Sequence, residues 1–250
     1  MSEFWYTVYT MQDTYGEDYT SFTLFSGTHI FWLVLCVVIC AAVAVIYRRS
    51  SAGMRRKFEL GLAILIALVE ASRQTVIIVT GQWRPETLPL HLCSVNIFIS
   101  LWYGIKPNKL AGNILYALCL PGAAVALLSP TWCALPITNF CHINSEMLHI
   151  LLVCYPVMLL SGGFKPEIRM LPKVLAVLAG MLVVIYPVNK LLGTNFFFIN
   201  DPYGNVITSF CTSIFGETLF VVGYIIILCL LFVLMYTPFT VIEVKNKKHT

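Results

Sequence analysis

What this chain has little of is charge. Of its 250 residues only 11% are Asp, Glu, Lys or Arg and 58% are hydrophobic, where an ordinary soluble domain carries roughly a quarter of its residues as charges. So small a charged fraction cannot coat a water-facing surface, which excludes a soluble globule. The alternating segments of about ten residues that build an outer-membrane barrel are also missing; unbroken apolar runs such as 30–47 and 219–236 stand in their place. The first 29 residues lack the positive start and apolar centre of a cleaved signal peptide. They are polar and acidic (Glu3, Asp13, Glu17, Asp18), so the first apolar run is expected to direct insertion itself. Nine cysteines is an odd number, and Cys36, Cys40, Cys119, Cys154 and Cys229 fall inside apolar runs, where a thiol is most simply a small hydrophobe. No disulfide framework is implied. No internal repeat is visible, which weighs mildly against a transporter built from inverted halves.

What is there is a series of membrane-length runs. At about 20 residues per crossing, spans are predicted at 30–47, 59–80, 88–103, 109–128, 146–162, 171–188 and 217–236. The expected fold is all-α, a polytopic bundle of seven transmembrane helices over 30–236, preceded by a polar segment 1–29 and followed by a basic tail 237–250. Pro121, Pro156 and Pro187 fall within spans and predict kinks. Thirteen of the sixteen basic residues lie on one side: Arg48, Arg49, Arg55, Arg56, Lys57, Lys106, Lys109, Lys165, Arg169, Lys173, Lys245, Lys247 and Lys248. Only Arg84 and Lys190 lie on the other, and Arg73 is inside the second span. The positive-inside rule then predicts an extracytoplasmic N-terminus and a cytoplasmic C-terminus for a multi-pass protein of the cell membrane. The net charge of +4 therefore reads as a topology signal, and no nucleic-acid partner is expected.

Polar groups inside a bilayer cost several kcal/mol, so each needs a partner or a task. Glu70, Arg73 and Gln74 share one face of the second span, where Glu70 and Arg73 can form a structural ion pair or Arg73 can receive a phosphate. The third span opens Leu88-Pro-Leu-His-Leu-Cys93. On a continuous helix His91 and Cys93 point to nearly opposite sides, while Cys93 shares a face with Asn96 and Ser100. Cys93 is either a buried inert thiol or a nucleophile, and a nucleophile needs a base to make the thiolate. The fifth span offers Glu146 and His149 one turn apart, so the carboxylate can orient the imidazole. Given the topology, Cys93, His149, Arg73 and Glu217 fall at a similar depth near the outer side. Glu-x-x-His is also the repeat of di-iron bundles, but that site needs two such motifs and one is present, so no metal is expected. In the long loops, Cys133 and Cys141 can form a disulfide on the oxidising side. The stretch from Asn189 through Asn195 to Phe198 can line a head-group pocket or form an interfacial aromatic belt. The semi-apolar stretch 206–215 is either an interfacial helix or an extension of the last span.

Three elements carry a resemblance to a family: Leu88-Pro-Leu-His-Leu-Cys93, then Leu128-Ser-Pro with the stretch 140–149, and Asn189 followed by Gly193-Thr-Asn-Phe-Phe. In them the chain resembles the YwaF-like bacterial integral membrane proteins, relatives of the eukaryotic transmembrane protein 164, with Phe196 where that pattern usually has Tyr. The resemblance implies a seven-span bundle and CoA-independent acyl transfer between phospholipids, with Cys93 as nucleophile and His149 as base. Its partners would be a phospholipid, a lyso-phospholipid and the membrane, and it calls for no cofactor. In such a reaction Asn96 or Asn195 is the candidate for stabilising the oxyanion and Arg73 for binding the phosphate. The competing reading is a transporter or small-molecule-binding membrane protein using Glu70, Arg73, His149 and Glu217. The oligomeric state is not encoded in any of these features.

Overall fold

The computed structural model describes residues 2–16, 19–201 and 206–248, with the backbone alone at 206 and 242–248. Glu17, Asp18 and the side chains of Lys245, Lys247 and Lys248 lie outside the described residues. Among the described residues the chain is all-helical. Seven helices are long and apolar enough to cross a membrane: Gly27–Arg49, Ala52–Val79, Pro85–Ile105, Lys109–Leu128, Phe140–Ser161, Ile168–Leu192 and Phe220–Val241, the first to seventh spans. This is a multi-pass membrane protein.

The edges of the spans differ from expectation where capping overrides composition. The fifth helix begins at Phe140 rather than at 146, because the Asn139 side chain accepts the His142 N–H at 3.0 Å and starts the helix inside a polar stretch. The first begins at Gly27, inside the segment expected to precede it. The last helix runs from Phe220 to Lys248 straight through the stretch expected to be a tail, with Pro238 inside it. Pro156 and Pro187 also sit within unbroken helices. Pro121 is accommodated differently. The preceding turn, Leu115–Cys119, widens to a π-helix in which the Leu120 N–H reaches back to the Leu115 carbonyl. A proline crowds the carbonyl four residues before it, and one wider turn makes the room.

The fifth span is the axis of the bundle. It packs against the first, second and fourth spans, and 67% of its membrane window is buried, against 11% for the sixth, which turns most of its surface outward. One core joins Ile66, Ile97, Leu115, Leu152 and Tyr155 from the second to fifth spans. A second joins Ile114 and Leu118 to Val174, Phe196, Phe232 and Tyr236, tying in the last two spans. The stretch 206–215 is a separate helix packed on the seventh span. Gly216, at φ +77°, turns the chain between them, and Gly223 leaves room for the Phe215 ring.

The end of the bundle remote from the N-terminus is fastened by two arginines in the first turns of the second span. Arg55 donates to the carbonyls of Tyr47 (3.0 Å), Ser50 (3.1 Å) and Gly162 (3.0 Å). Arg56 donates to the Ile105 carbonyl at 2.8 Å and to Glu59 at 2.7 Å. Both thus neutralise the negative ends of neighbouring helices, a role beyond the topology signal predicted for them. Glu59 in turn accepts the Tyr47 hydroxyl at 2.6 Å. The Tyr47 ring lies so close to Gly162 that a Cβ there would fall 2.2 Å from it. Gly162→Val is therefore expected to cost roughly 1–3 kcal/mol by overpacking, read as a lowered thermal midpoint in detergent. An unchanged midpoint would mean that this end is not packed as described.

Candidate active site

The N-terminal segment closes over the opposite end. Thr7 caps the short helix Val8–Tyr15, and Gln82 accepts from the Thr7 N–H at 2.9 Å and the Thr10 hydroxyl at 2.6 Å while donating to the Trp5 carbonyl at 2.7 Å. Asn139 donates to the carbonyls of Glu3 (2.6 Å) and Tyr6 (3.0 Å), and Arg84 pairs with Asp13. Beneath this cover lies a cavity of about 900 Å³, lined by Glu70, Arg73, His91, Cys93, Trp132 and His149 among others, with Tyr9 and Glu86 at the covered end and Leu118, Val125, Leu228 and Leu231 along apolar walls. Burial and the Glu86 carboxylate raise the Tyr9 phenol above its ordinary range, so it is a neutral donor there.

The second span supplies an ion pair. Arg73 grips Glu70 with Nε at 3.0 Å and Nη2 at 2.6 Å, which leaves Nη1 without a hydrogen bond among the described residues. Gln74 bridges Glu70 (2.8 Å) to the Thr87 carbonyl (2.9 Å), fastening the entry to the third span. Both expected roles of this face are thus compatible: the pair is structural, and one edge of the guanidinium remains.

The third-span helix begins at Leu92, four residues after the predicted start of the span. A tight turn over Pro89 (Leu90 N–H to Leu88 carbonyl, 2.8 Å) leads to His91, which is the extended N-cap of a helix starting at Leu92. His91 and Cys93 therefore both line the cavity, contrary to the opposite faces a helix would give them. The His91 ring lies between Phe196 (5.1 Å, edge-on) and Phe198 (5.5 Å) and within electrostatic reach of Arg73 and His149.

On the fifth span, His149 Nδ1 is 2.7 Å from the Ser145 carbonyl, so that nitrogen carries the proton and Nε2 is the basic one. Glu146 does not touch it, against expectation. Its carboxylate accepts the Trp132 indole N–H at 3.0 Å and stands 3.9 Å from His142. The indole is what meets His149, stacked at 4.7 Å between centroids with the planes 23° apart. Spacing of three puts Glu146 and His149 on adjoining strips of the helix, and a partner from the preceding loop outcompetes the neighbour. No hydrogen bond joins the Cys93 thiol to the His149 ring among the described residues; what they share is the cavity.

Three predicted supporting residues are spent elsewhere. Asn96 is buried and donates to the Leu92 carbonyl of its own helix at 2.9 Å, off the cavity wall. Asn195 borders the cavity but holds its loop, accepting from the Asn200 and Asp201 N–H groups at 3.1 Å each and donating to the Asp201 carbonyl at 2.9 Å. Glu217 is exposed in the turn before the seventh span and does not line the cavity. Asn189, one of the pocket-or-belt group, organises the loop after the sixth span through Phe196 N–H (2.8 Å), the Phe196 carbonyl (2.9 Å) and Thr194 (3.0 Å). With Phe196 fully buried, this stretch is wall rather than belt. Phe197 and Phe198 hold φ of +61° and +53°, strain of the kind that collects at functional sites. Sequence reasoning missed Tyr224, on the cavity wall within electrostatic reach of Cys93, because a tyrosine in an apolar run carries no spacing signal.

The arrangement is an intramembrane thiol and an imidazole open to one partly apolar chamber, beside an arginine. The chain belongs to the TMEM164 family, whose model matches residues 24–236. Comparison with curated proteins and with solved structures gives no match.

All nine cysteines are free, so the disulfide that Cys133 and Cys141 could form is not made: Cys133 donates instead to the Pro130 carbonyl at 2.9 Å, and Cys141 is buried. Unreduced, denatured protein should take alkylating agent at both. In the folded protein burial raises the Cys133 thiol above its ordinary 9.0. Because the thiolate is the reactive form, its labelling should be slow at neutral pH and accelerate only above pH 9. A mass increase that requires prior reduction would contradict the first statement, and fast labelling at pH 7 the second.

Proposed function

We propose that this protein is a thiol-dependent phospholipid acyltransferase that works without coenzyme A in the outer half of the cell membrane, its N-terminus extracytoplasmic and its C-terminus cytoplasmic. The observation that carries the reading is that Cys93 and His149 open on the same cavity, one with apolar walls and an arginine with a free edge, in a member of the TMEM164 family. The distribution of basic residues supports the orientation.

His149 Nε2 takes the Cys93 proton as the sulfur attacks the ester carbonyl of a donor phospholipid. The carbon–oxygen bond to the glycerol breaks, and the departing oxygen takes the proton from the imidazolium, leaving a thioester on Cys93 and a lyso-phospholipid. The hydroxyl of a second lyso-phospholipid then gives its proton to Nε2 and attacks the thioester, and the thiolate leaves and recovers that proton. Arg73 holds the lipid phosphate through its unengaged edge. With Asn96 and Asn195 committed elsewhere, the Tyr224 hydroxyl is the donor at hand for the oxyanion. The apolar walls take the acyl chain, and the covering segment keeps water from the thioester.

The test is acyl exchange between a donor phospholipid and a labelled lyso-phospholipid in proteoliposomes. Cys93→Ala should abolish transfer, and His149→Ala should lower it on the order of 10²–10⁴-fold. Turnover that survives Cys93→Ala overturns the proposal, and wild-type protein without lipid exchange would favour the transport reading.

A further inference from the structure

The imidazole of His149 is held at Nδ1 by the Ser145 carbonyl, 2.7 Å away, but a single hydrogen bond leaves the ring plane free to tilt about it. The plane is set by Trp132. This residue comes from the loop between the fourth and fifth spans, is 6% exposed, and lays its indole flat along the imidazole. The indole is held in turn by Glu146, one helical turn before His149 and 1% exposed. Among the described residues the Trp132 N–H is the one hydrogen bond that the Glu146 carboxylate receives, and its Oε2 has none. A buried carboxylate costs several kcal/mol unless it does something with its charge, and here it fixes an aromatic face against the base.

We infer that Glu146 and Trp132 are positioning residues for the His149 imidazole, acting as a relay in which the carboxylate fixes the indole and the indole fixes the ring. The inference rests on the reading of His149 as the base. Two physical effects make the relay useful. Locking the plane keeps Nε2 directed for proton transfer, where a misplacement of about 1 Å can cost 10²-fold. The π face of an indole also attracts a cation, so it stabilises the imidazolium formed when Cys93 gives up its proton.

The experiment compares Glu146→Leu, Glu146→Gln and Trp132→Phe in nanodiscs by two readouts: kcat and KM for acyl exchange, and Trp132 emission, taken as the difference from Trp132→Phe. Glu146→Leu should lower kcat on the order of 10-fold or more with little change in KM. Glu146→Gln keeps an acceptor oxygen for the indole and should recover most of that loss. A stacked imidazole quenches an indole, so Trp132 emission should rise in His149→Ala and in Glu146→Leu but not in Glu146→Gln. Equal kcat in the Leu and Gln variants, or emission indifferent to Glu146→Leu, would overturn the relay. If Glu146→Leu does not fold, Trp132→Phe carries the test: it keeps a ring without the N–H, should lower kcat similarly, and should make a further Glu146→Gln silent. Expected emission changes in a protein that exchanges no lipid would uphold the relay and remove the acyltransferase reading; exchange without the emission changes would do the reverse.

Discussion

The structure is governed by one constraint: in the hydrocarbon there is no water to finish a hydrogen bond, so each polar group must find its partner within the chain. The consequences can be followed down the fifth span. Asn144 donates to the Val69 carbonyl at 2.9 Å, Tyr155 to the Glu59 carbonyl at 2.9 Å, and Ser145 gives its carbonyl to His149. These bonds let a helix that carries several polar side chains be the most enclosed of the seven. The arginines at the start of the second span and the glycines at the close approaches serve the same end, satisfying helix termini and bringing elements near one another.

Among the described residues some buried atoms away from the cavity go without a hydrogen-bond partner, such as Trp32 Nε1 and His142 Nε2; others lie on its wall. His149 Nε2 and Arg73 Nη1 make no hydrogen bond among the described residues, and the Cys93 thiol lies beside them on the wall of the same cavity. Their neighbours are thoroughly committed: Glu70 by three side-chain bonds from Arg73 and Gln74, His91 by two phenyl rings, and the loop after the sixth span by Asn189. A rigid surround with a few unengaged groups is what preorganised chemistry requires.

Much of this could be read from the sequence, because membrane length, apolar runs and the gaps between them are one-dimensional properties. The seven spans follow from them, the family from short motifs such as Leu88 to Cys93, and the pairing of Glu70 with Arg73 needs only three-residue spacing. What failed depended on where a helix starts or on a distant partner. Periodicity carried back to Leu88 sets His91 opposite Cys93, but the helix starts at Leu92 and His91 is its N-cap. Glu146 was given to His149 because spacing shows which residues can meet, and Trp132 lies in another element. Asn96, Asn195 and Glu217 have the right chemistry at the right depth, but their side chains turn to their own backbone or lie outside the cavity. The N-terminal cover was invisible because it hangs on Gln82 and Asn139, amides with no pattern to announce them.

The central claim is that Cys93 carries an acyl group between two lipids. The most direct measurement is mass spectrometry of the Cys93 peptide after brief incubation with a phospholipid bearing an isotope-labelled acyl chain and no acceptor. The expected result is a labelled acyl adduct on Cys93 that neutral hydroxylamine removes and that a lyso-phospholipid chases into phospholipid. An actively exchanging protein whose Cys93 stays unmodified, with label on another residue or on none, would contradict it.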